Sequence, residues 1–245
     1  MCEHHHCLVE KGWKGWLEVP SPQLTPCTGP WLEISHTITE DLARIPAFPQ
    51  PRIRRIRSLP EAVANLTELC MVAHHGTHVD APIHYIADGP SMDEVPLDRL
   101  YGQGVVWRID LGPNGVIRPE DFEAARPQMK AGDIVILDTR SARHVNTDSY
   151  WDHPSVSGEA AEWLVRQGAK ILAIDAPTPD LSPKNRPANY QFPAHHILLS
   201  RGVLIAEHMT NLEPIAGRHV EAMFMALNLK GSDGGPARVV ARPID

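Results

Sequence analysis

The 245-residue sequence has few cysteines, few aromatic residues and no long apolar run. Its four cysteines, Cys2, Cys7, Cys27 and Cys70, stand at irregular positions, which excludes the disulfide framework of a small secreted protein. No apolar segment approaches the about 20 residues that a membrane-spanning helix needs. Residues 1–7 also lack the apolar core of a signal peptide. We therefore expect a cytoplasmic protein without a membrane partner.

The sequence has no basic excess either. Its 23 Lys and Arg residues stand against 30 Asp and Glu residues, and the formal net charge of −7 argues against a nucleic-acid partner. The one basic run, Arg52–Arg57, is short and interleaved with isoleucine. This pattern is typical of an exposed strand face or an oligomer contact rather than of a phosphate-binding track.

The most informative segment is 74–84, which holds four histidines and one aspartate at the spacing His-x3-His-x-Asp-x3-His. Neutral imidazole and carboxylate groups are the ligands that suit zinc, manganese or iron. A set of histidines in a surface loop with no shared partner is the alternative. Because such donor clusters usually mark metal or catalytic sites, the segment predicts a metal centre.

The path predicted for this segment follows from its small and rigid residues. Gly76 and Pro82 prevent one continuous helix from carrying all the donors. His78 and Asp80 are two residues apart, so in an extended segment their side chains point to the same side. His74 can reach that side if the chain turns at Gly76. The spacing therefore predicts convergence of the three side chains.

A second part of the site is predicted around this cluster. Pro82 suits the first turn of a new helix, which sets His84 facing back toward Asp80. Later in the chain, His195 lies in a predicted helix and Glu207 ends the following strand. Spacing alone leaves other candidates for this second pair open: His196, His208 and Glu213.

Apolar runs alternate with helical patterns and indicate one α/β domain with a mixed sheet. The predicted strands are Leu66–Ala73, Val105–Leu111, Asp133–Asp138, Lys170–Asp175, Gly202–Glu207 and Ala222–Leu229. The predicted helices are Pro119–Ala125, Ser157–Gln167 and Ala194–Ser200. Long irregular loops at 74–104 and 139–157 do not fit a regular doubly wound fold.

The first thirty residues form a separate compositional segment. Cys2, His4, His5, His6 and Cys7 could bind a metal with Cys27 as a further ligand, but a Pro/Gly-rich passage follows them. We interpret residues 1–30 as a partly flexible extension. Two tryptophans, at 13 and 16, indicate that part of it docks, on a neighbouring subunit in one interpretation.

The motif His-x-Gly-Thr-His-x-Asp-Ala-Pro-x-His at 74–84 resembles the signature of the cyclase family. That family includes bacterial kynurenine formamidase, isatin hydrolase and related metal-dependent amide and lactone hydrolases. The resemblance extends from about Trp31 to the carboxyl terminus and includes the stretches 174–180, 195–207 and 236–240. It implies a swivelling β/β/α domain over 31–245 that forms homodimers or homotetramers.

The resemblance also implies a role for each site residue. His74, His78 and Asp80 are expected to bind a first divalent metal. Asp80 is expected to bridge to a second metal held by His195 and Glu207, and the expected metal is zinc, with manganese as the alternative. His84 is expected to be the catalytic acid/base. Supporting roles beside the ligands or the substrate fall to two further residues, Thr77 and Asp175.

The expected reaction is hydrolysis of an amide-type C–N bond in a small aromatic substrate, with N-formylkynurenine as the first candidate. Glu207 resembles the two-metal formamidase branch, because the isatin hydrolase branch has an altered second site. Ring opening of a cyclic amide, imide or lactone is the alternative within the family. A non-catalytic metal-binding relative is the alternative of another class, although such a protein has no need of His84. The extension and Thr178-Pro179 depart from the family pattern and leave the substrate open.

Overall fold

The computed structural model describes residues 12–21, 25, 27 and 29–244. Its strands are β1 (Leu32–Glu33), β2 (Arg52–Arg57), β3 (Leu66–Cys70), β4 (His78–Asp80), β5 (Tyr101–Arg108), β6 (Val116–Ile117), β7 (Ile134–Asp138), β8 (Ser155–Val156), β9 (Ile171–Ile174), β10 (Leu204–Glu207), β11 (Arg218–Ala226) and β12 (Gly234–Pro243). Its α-helices are α1 (Pro119–Ala124), α2 (Gly158–Gln167) and α3 (Pro193–Ser200). Among the described helices, none has the length and apolarity to cross a bilayer.

Eight strands form one mixed sheet in the order β1-β12-β11-β5-β7-β9-β10-β4. Strands β5, β7, β9 and β10 run parallel, whereas the pairs that involve β4, β11 or β12 are antiparallel. Strand β4 also pairs with β12, which closes the sheet into a barrel. The expectation of one α/β domain with a mixed sheet is confirmed.

The barrel separates two apolar layers because successive side chains of a strand point to opposite faces. In β7, Ile134 and Ile136 face the interior, where they join buried residues such as Val79 and Leu204. Val135 and its neighbours face outward and pack under α2 and α3. The site described below lies on this outer side of the barrel.

The two main helices begin and end where local signals predict. The Ser157 hydroxyl accepts a hydrogen bond from the Ala160 amide and caps α2, and Gly168 ends the helix at φ +78°. Helix α3 begins with Pro193 at its first position. Its start has no side-chain cap from the residue before it, since Phe192 takes that place. The three predicted helices are confirmed to within a residue at each end.

Several predicted strands need correction. Leu66–Ala73 was expected to be a buried strand that runs into the histidine cluster. Instead, only Leu66–Cys70 is extended, and it pairs with Arg52–Arg57 in a two-stranded ribbon outside the barrel. Both ribbon strands are largely exposed, so the apolar residues of β3 do not mark a core strand. The basic run does form an exposed strand, as predicted.

Strands β5 and β11 both begin earlier than predicted. They pair antiparallel through Arg218↔Val106 to Met223↔Tyr101, which extends both ladders over polar residues and glycines. The apolar runs begin four residues after the first residue of each strand, because backbone pairing in a barrel does not require apolar side chains at every position. Strands β4 and β12 were also missing from the prediction.

Part of the amino-terminal extension contacts its own chain. The Lys14 and Leu17 amides donate hydrogen bonds to the carbonyls of Ser200 and Arg201, directly after α3. Cys27 donates through Sγ to Glu221 at 2.7 Å and is not close to a metal-ligand group among the described residues. Cys2, the three histidines 4–6 and Cys7 lie outside the described residues. The boundary at residue 31 stays a prediction.

Candidate metal centre

The segment 74–84 follows the predicted path. Gly76 turns the chain at φ +69°, a conformation that glycine adopts readily. Strand β4 follows, and a short 3-10 helix, Pro82–His84, begins with its proline as predicted. Because Val79 points into the barrel, the neighbouring His78 and Asp80 side chains point outward.

Two other elements bring the distant residues to this face. Strand β10 pairs with β4 so that Glu207 stands opposite His78. Helix α3 packs against β10 and carries His195 on its buried side. His78, Asp80, His195 and Glu207 are at most 7% exposed. The fold therefore assembles the four side chains in a nearly solvent-free space between the barrel and α3.

The five predicted ligands lie together, with Asp80 between the histidines. Asp80 Oδ1 lies 2.8 Å from His74 Nδ1 and 3.2 Å from His78 Nε2. Asp80 Oδ2 lies 3.6 Å from His195 Nε2. Glu207 spans the same two sides, with Oε2 3.4 Å from His78 Nε2 and Oε1 3.3 Å from His195 Nε2. The carboxylate of Asp80 thus faces two groups of nitrogen donors, as a bridging ligand does.

His195 is oriented by a carboxylate that sequence reasoning did not single out. Asp180 is fully buried, and its Oδ2 accepts a hydrogen bond from His195 Nδ1 at 2.5 Å. It also accepts hydrogen bonds from the Ala194 and His195 amides, both at 3.1 Å, and so caps α3. Tyr190 donates its hydroxyl to the same carboxylate at 2.7 Å. Asp180 therefore fixes both the helix start and the ring, leaving Nε2 to face Asp80.

The outer nitrogens of the other two histidines are also occupied. The Gly76 carbonyl accepts a hydrogen bond from His78 Nδ1 at 2.8 Å. Asp233 Oδ2 lies 3.0 Å from His74 Nε2. Metal-binding histidines almost always use their second ring nitrogen in this way, because the bond fixes the tautomer and the ring orientation. All three rings are thus held with one nitrogen turned into the cluster.

The inner atoms of the cluster fit a cation. His78 Nε2, Asp80 Oδ2 and Glu207 Oε1 are buried and have no hydrogen-bond partner among the described residues. Buried polar atoms without partners are costly, and a divalent ion would satisfy all three. Imidazole nitrogens with carboxylate oxygens are a donor set that both zinc and manganese accept.

The electrostatics of the cluster also favour a bound cation. Burial lowers the pKa of His78, but the close carboxylates of Asp80 and Glu207 outweigh it and raise that pKa to about 10. Burial and the Asp80 charge raise the pKa of Glu207, but His195 and His78 outweigh them and lower it to about 2. The two carboxylates thus favour positive charge in the space between them.

His84 lies at the edge of the cluster. Its ring stacks on His74 with 4.0 Å between ring centroids, and its side chain is 23% exposed. A cavity of about 600 Å³ opens beside both rings. Apolar side chains form much of its wall: Phe48, Leu69, Met71, Val72, Leu227 and Leu229. His84 is therefore the member of the cluster that a molecule in this cavity can reach.

Three groups of side chains bring ligand-type atoms within 4.8 Å of one another among the described residues, and two of them include His84. Within the described part of the chain, these groups are His74–His78–Asp80, Asp80–His84–His195 and His74–His84–Asp233. The first matches the predicted first metal. The second makes His84 a competitor of Glu207 as a ligand, which an experiment below decides.

Thr77 and His75 have contacts away from the ligand side chains. Thr77 Oγ1 donates a hydrogen bond to the carbonyl of His208, the residue after Glu207. The expected hydrogen bond from Thr77 to a ligand side chain is not found in the described part of the chain. The Thr39 carbonyl accepts a hydrogen bond from His75 Nε2 at 3.0 Å. Thr77 therefore ties β4 to the end of β10, and His75 ties the cluster to the preceding loop.

Asp175 belongs to another region of the barrel. It follows β9 and accepts hydrogen bonds from the amides of Thr139 and Ala142 at 2.9 and 3.3 Å. Burial raises its pKa to about 7. The hydrogen bonds of its side chain come from the loop after β7, and it lines a separate cavity from His74 and His84. Its side chain has no hydrogen bond to a predicted metal ligand among the described residues, and its expected role beside the ligands or the substrate stays a prediction.

Sequence reasoning missed Asp180, Asp233 and Tyr85. Asp180 stands within the stretch 174–180 that carried the family resemblance, which was its only signal. The Tyr85 ring packs on His195 at 4.3 Å between centroids, and its position directly after His84 was a further signal. Asp233 has no local signal, because its histidine partners lie far away in the chain.

A closed mixed barrel with a buried nitrogen and oxygen cluster, next to a reachable histidine and an apolar cavity, has the parts that a metal-dependent hydrolase needs. Comparison with known proteins gives the family. The family model Cyclase, described as "Putative cyclase", matches residues 32–181, more than half of the sequence. The chain belongs to the cyclase family, as the resemblance implied.

Relatives with similar sequences carry the name kynurenine formamidase. The protein from Salinibacter ruber is 31% identical over 191 residues, which cover 76% of this chain and 84% of the relative. The protein from Bordetella petrii is 29% identical over 189 residues with the same coverage. The protein from Bacillus anthracis is 27% identical over 220 residues, covering 89% and 99%.

Solved structures share the fold. Isatin hydrolase A from Labrenzia aggregata, bound to benzyl benzoate, superposes with a TM-score of 0.79 at 21% identity, covering 88% of this chain and 94% of that one. A potential metal-dependent hydrolase with cyclase activity gives 0.71 at 24% identity, covering 87% and 98%. The expected fold class is confirmed by these likenesses.

Proposed function

We propose that this hydrolase cleaves the amide-type C–N bond of a small aromatic substrate, in the manner of an arylformamidase that acts on N-formylkynurenine. The observation that carries the proposal is the convergence of five donor side chains with three unpartnered buried atoms, next to His84. The name kynurenine formamidase, which the relatives bear, supports this substrate class.

His74, His78 and Asp80 would hold one divalent ion, and Asp80, His195 and Glu207 a second. Zinc is the expected metal and manganese the alternative. When bound, such ions lower the pKa of a water molecule and polarise a carbonyl oxygen. The chain supplies the rest: Asp180 and the Gly76 carbonyl hold two of the rings, and the buried setting limits the water that reaches them.

In this proposal His84 moves the proton. Its ring lies at the cavity side of the cluster and stacks on His74, so it can reach both the attacking water and the leaving nitrogen. An imidazole can accept a proton from water and return it to the leaving amine. A buried ligand could not exchange protons with the substrate in this way.

The cavity supports an aromatic substrate. Its volume of about 600 Å³ and its apolar wall suit a single substituted ring, while His74, His84 and Asp233 supply polar groups at one end. The scissile amide would then face the polar end and the ring the apolar wall.

Ring opening of a cyclic amide, imide or lactone is the second candidate. The observation that favours it is the fold shared with isatin hydrolase A, at a TM-score of 0.79. Retention of Glu207 beside His78 and His195 supports the formamidase reaction instead.

The test is a panel of N-formylkynurenine, isatin and simple lactones, together with metal analysis of the active protein. We expect the highest kcat/KM for the formamide and close to two divalent ions per chain. Glu207→Gln should lower the metal content toward one ion. A fully active protein with a single ion contradicts the two-metal proposal, and faster opening of isatin or a lactone favours the second candidate.

A further inference from the structure

The turn before β12 places one carboxylate against two histidines with different proposed roles. We propose that Asp233 is a positioning residue that holds His74, a ligand, and His84, the acid/base, in a fixed relative orientation. The proposal rests on the proposed function for these two roles. Asp233 reaches the site from a distant part of the chain, 159 residues after His74.

One oxygen of Asp233 serves both rings. Asp233 Oδ2 lies 3.0 Å from His74 Nε2 and 3.4 Å from His84 Nδ1. The two rings stack at 4.0 Å between centroids and 26° between planes. Because Nε2 of His74 is engaged by Asp233, Nδ1 is left to face Asp80 at 2.8 Å. The same carboxylate thus orients the ligand nitrogen and limits rotation of the His84 ring.

The turn itself is held rigidly against the cluster segment. The Asp233 carbonyl accepts a hydrogen bond from the Ala81 amide at 2.9 Å. Asp93 Oδ1 accepts one from the Gly231 amide at 2.8 Å. The residue after Asp233 is Gly234, where a Cβ atom would lie 2.8 Å from His74 Cε1. Glycine at 234 therefore lets the His74 ring lie directly against the turn.

An ordinary surface ion pair is the competing interpretation, because the Asp233 side chain is 51% exposed. Exposed pairs contribute little to stability. The two interpretations differ in where a substitution acts. Loss of a positioning carboxylate changes metal affinity and turnover while leaving the unfolding temperature of the metal-free protein unchanged, whereas loss of a surface pair changes none of the three.

The experiment compares the wild-type chain with Asp233→Asn, which keeps the size of the side chain and removes its charge. Zinc affinity is measured by chelator competition, and the absorption spectrum of the Co²⁺-loaded protein reports the ligand geometry. We expect about 10–100-fold weaker zinc binding, as for other carboxylates that orient a metal-binding histidine, and a changed Co²⁺ spectrum. With the metal sites saturated, kcat should fall while KM changes little.

Asp93→Asn is the matched control, since Asp93 holds the same turn and contacts neither histidine. We expect wild-type zinc affinity and kcat from it. Gly234→Ala is a second perturbation and should reproduce the defect of Asp233→Asn by displacing the His74 ring.

Wild-type zinc affinity and kcat in Asp233→Asn overturn the proposal, and so does an equal defect in Asp93→Asn. If the wild-type chain hydrolyses no member of the substrate panel, the proposed function fails. The chelator competition then still decides whether Asp233 positions His74.

Discussion

Asp180 offers the sharpest test of how this site is built. Its buried carboxylate binds His195 Nδ1, two amides at the start of α3 and the Tyr190 hydroxyl. In Asp180→Asn the charge is lost and the shape is kept. Because the imidazole loses its charged acceptor, we expect metal affinity to fall about 10–100-fold. This corresponds to about 1.4–2.8 kcal/mol of binding free energy.

The effect on stability separates the two roles of Asp180, which caps α3 and orients His195. In Asp180→Ala both amides lose their acceptor, and the free energy of unfolding of the metal-free protein should fall by about 2–4 kcal/mol. In Asp180→Asn one carbonyl oxygen remains for the amides, so the loss should be smaller. Denaturant unfolding of the metal-free protein measures both values, and chelator competition with fluorescence detection measures the metal affinity.

Tyr190→Phe is the matched control for this prediction. It removes one hydrogen bond to Asp180 and leaves the contact between Asp180 and His195 intact. We expect about 1 kcal/mol less stability and unchanged metal affinity. Wild-type metal affinity in Asp180→Asn refutes the reasoning, because a metal-binding His195 that loses its charged acceptor should bind the metal more weakly.

Three further predictions concern turnover, pH and assembly. His84→Ala should keep its metal content by elemental analysis and lose turnover; loss of an ion instead makes His84 a ligand. Burial lowers the pKa of Lys170 from 10.5 to about 8, so folding releases its proton between these values and stability should rise with pH across this window. Relative to Lys170→Met, chemical denaturation should show a gain of up to about 3 kcal/mol, and parallel pH curves contradict this. The ribbon of β2 and β3 exposes Ile56 and Leu66. Because an isolated two-stranded ribbon is only marginally stable, we propose that it packs against another copy of the chain in a homo-oligomer. Light scattering should give a dimer or tetramer that Ile56→Glu weakens, whereas a monomeric wild-type chain excludes this assembly.

The helices were predictable because their signals are local. Ser157 and Gly168 begin and end α2 within the helix's own sequence, and Pro193 marks the start of α3. Strands are set by partners, and the predictions were weaker there. Leu66–Ala73 was predicted as a strand from its apolar residues, yet its extended part, Leu66–Cys70, pairs among the described strands with β2 alone, outside the barrel.

The sequence by itself determined the cluster at 74–84, because ligands two and four residues apart are brought together by one turn and one short strand. The family resemblance added His195 and Glu207 from the other end of the chain. Only the tertiary structure revealed Asp180 and Asp233. Their contacts depend on how α3 and the last turn pack on the barrel, and neither hydrophobic periodicity nor local spacing encodes that packing.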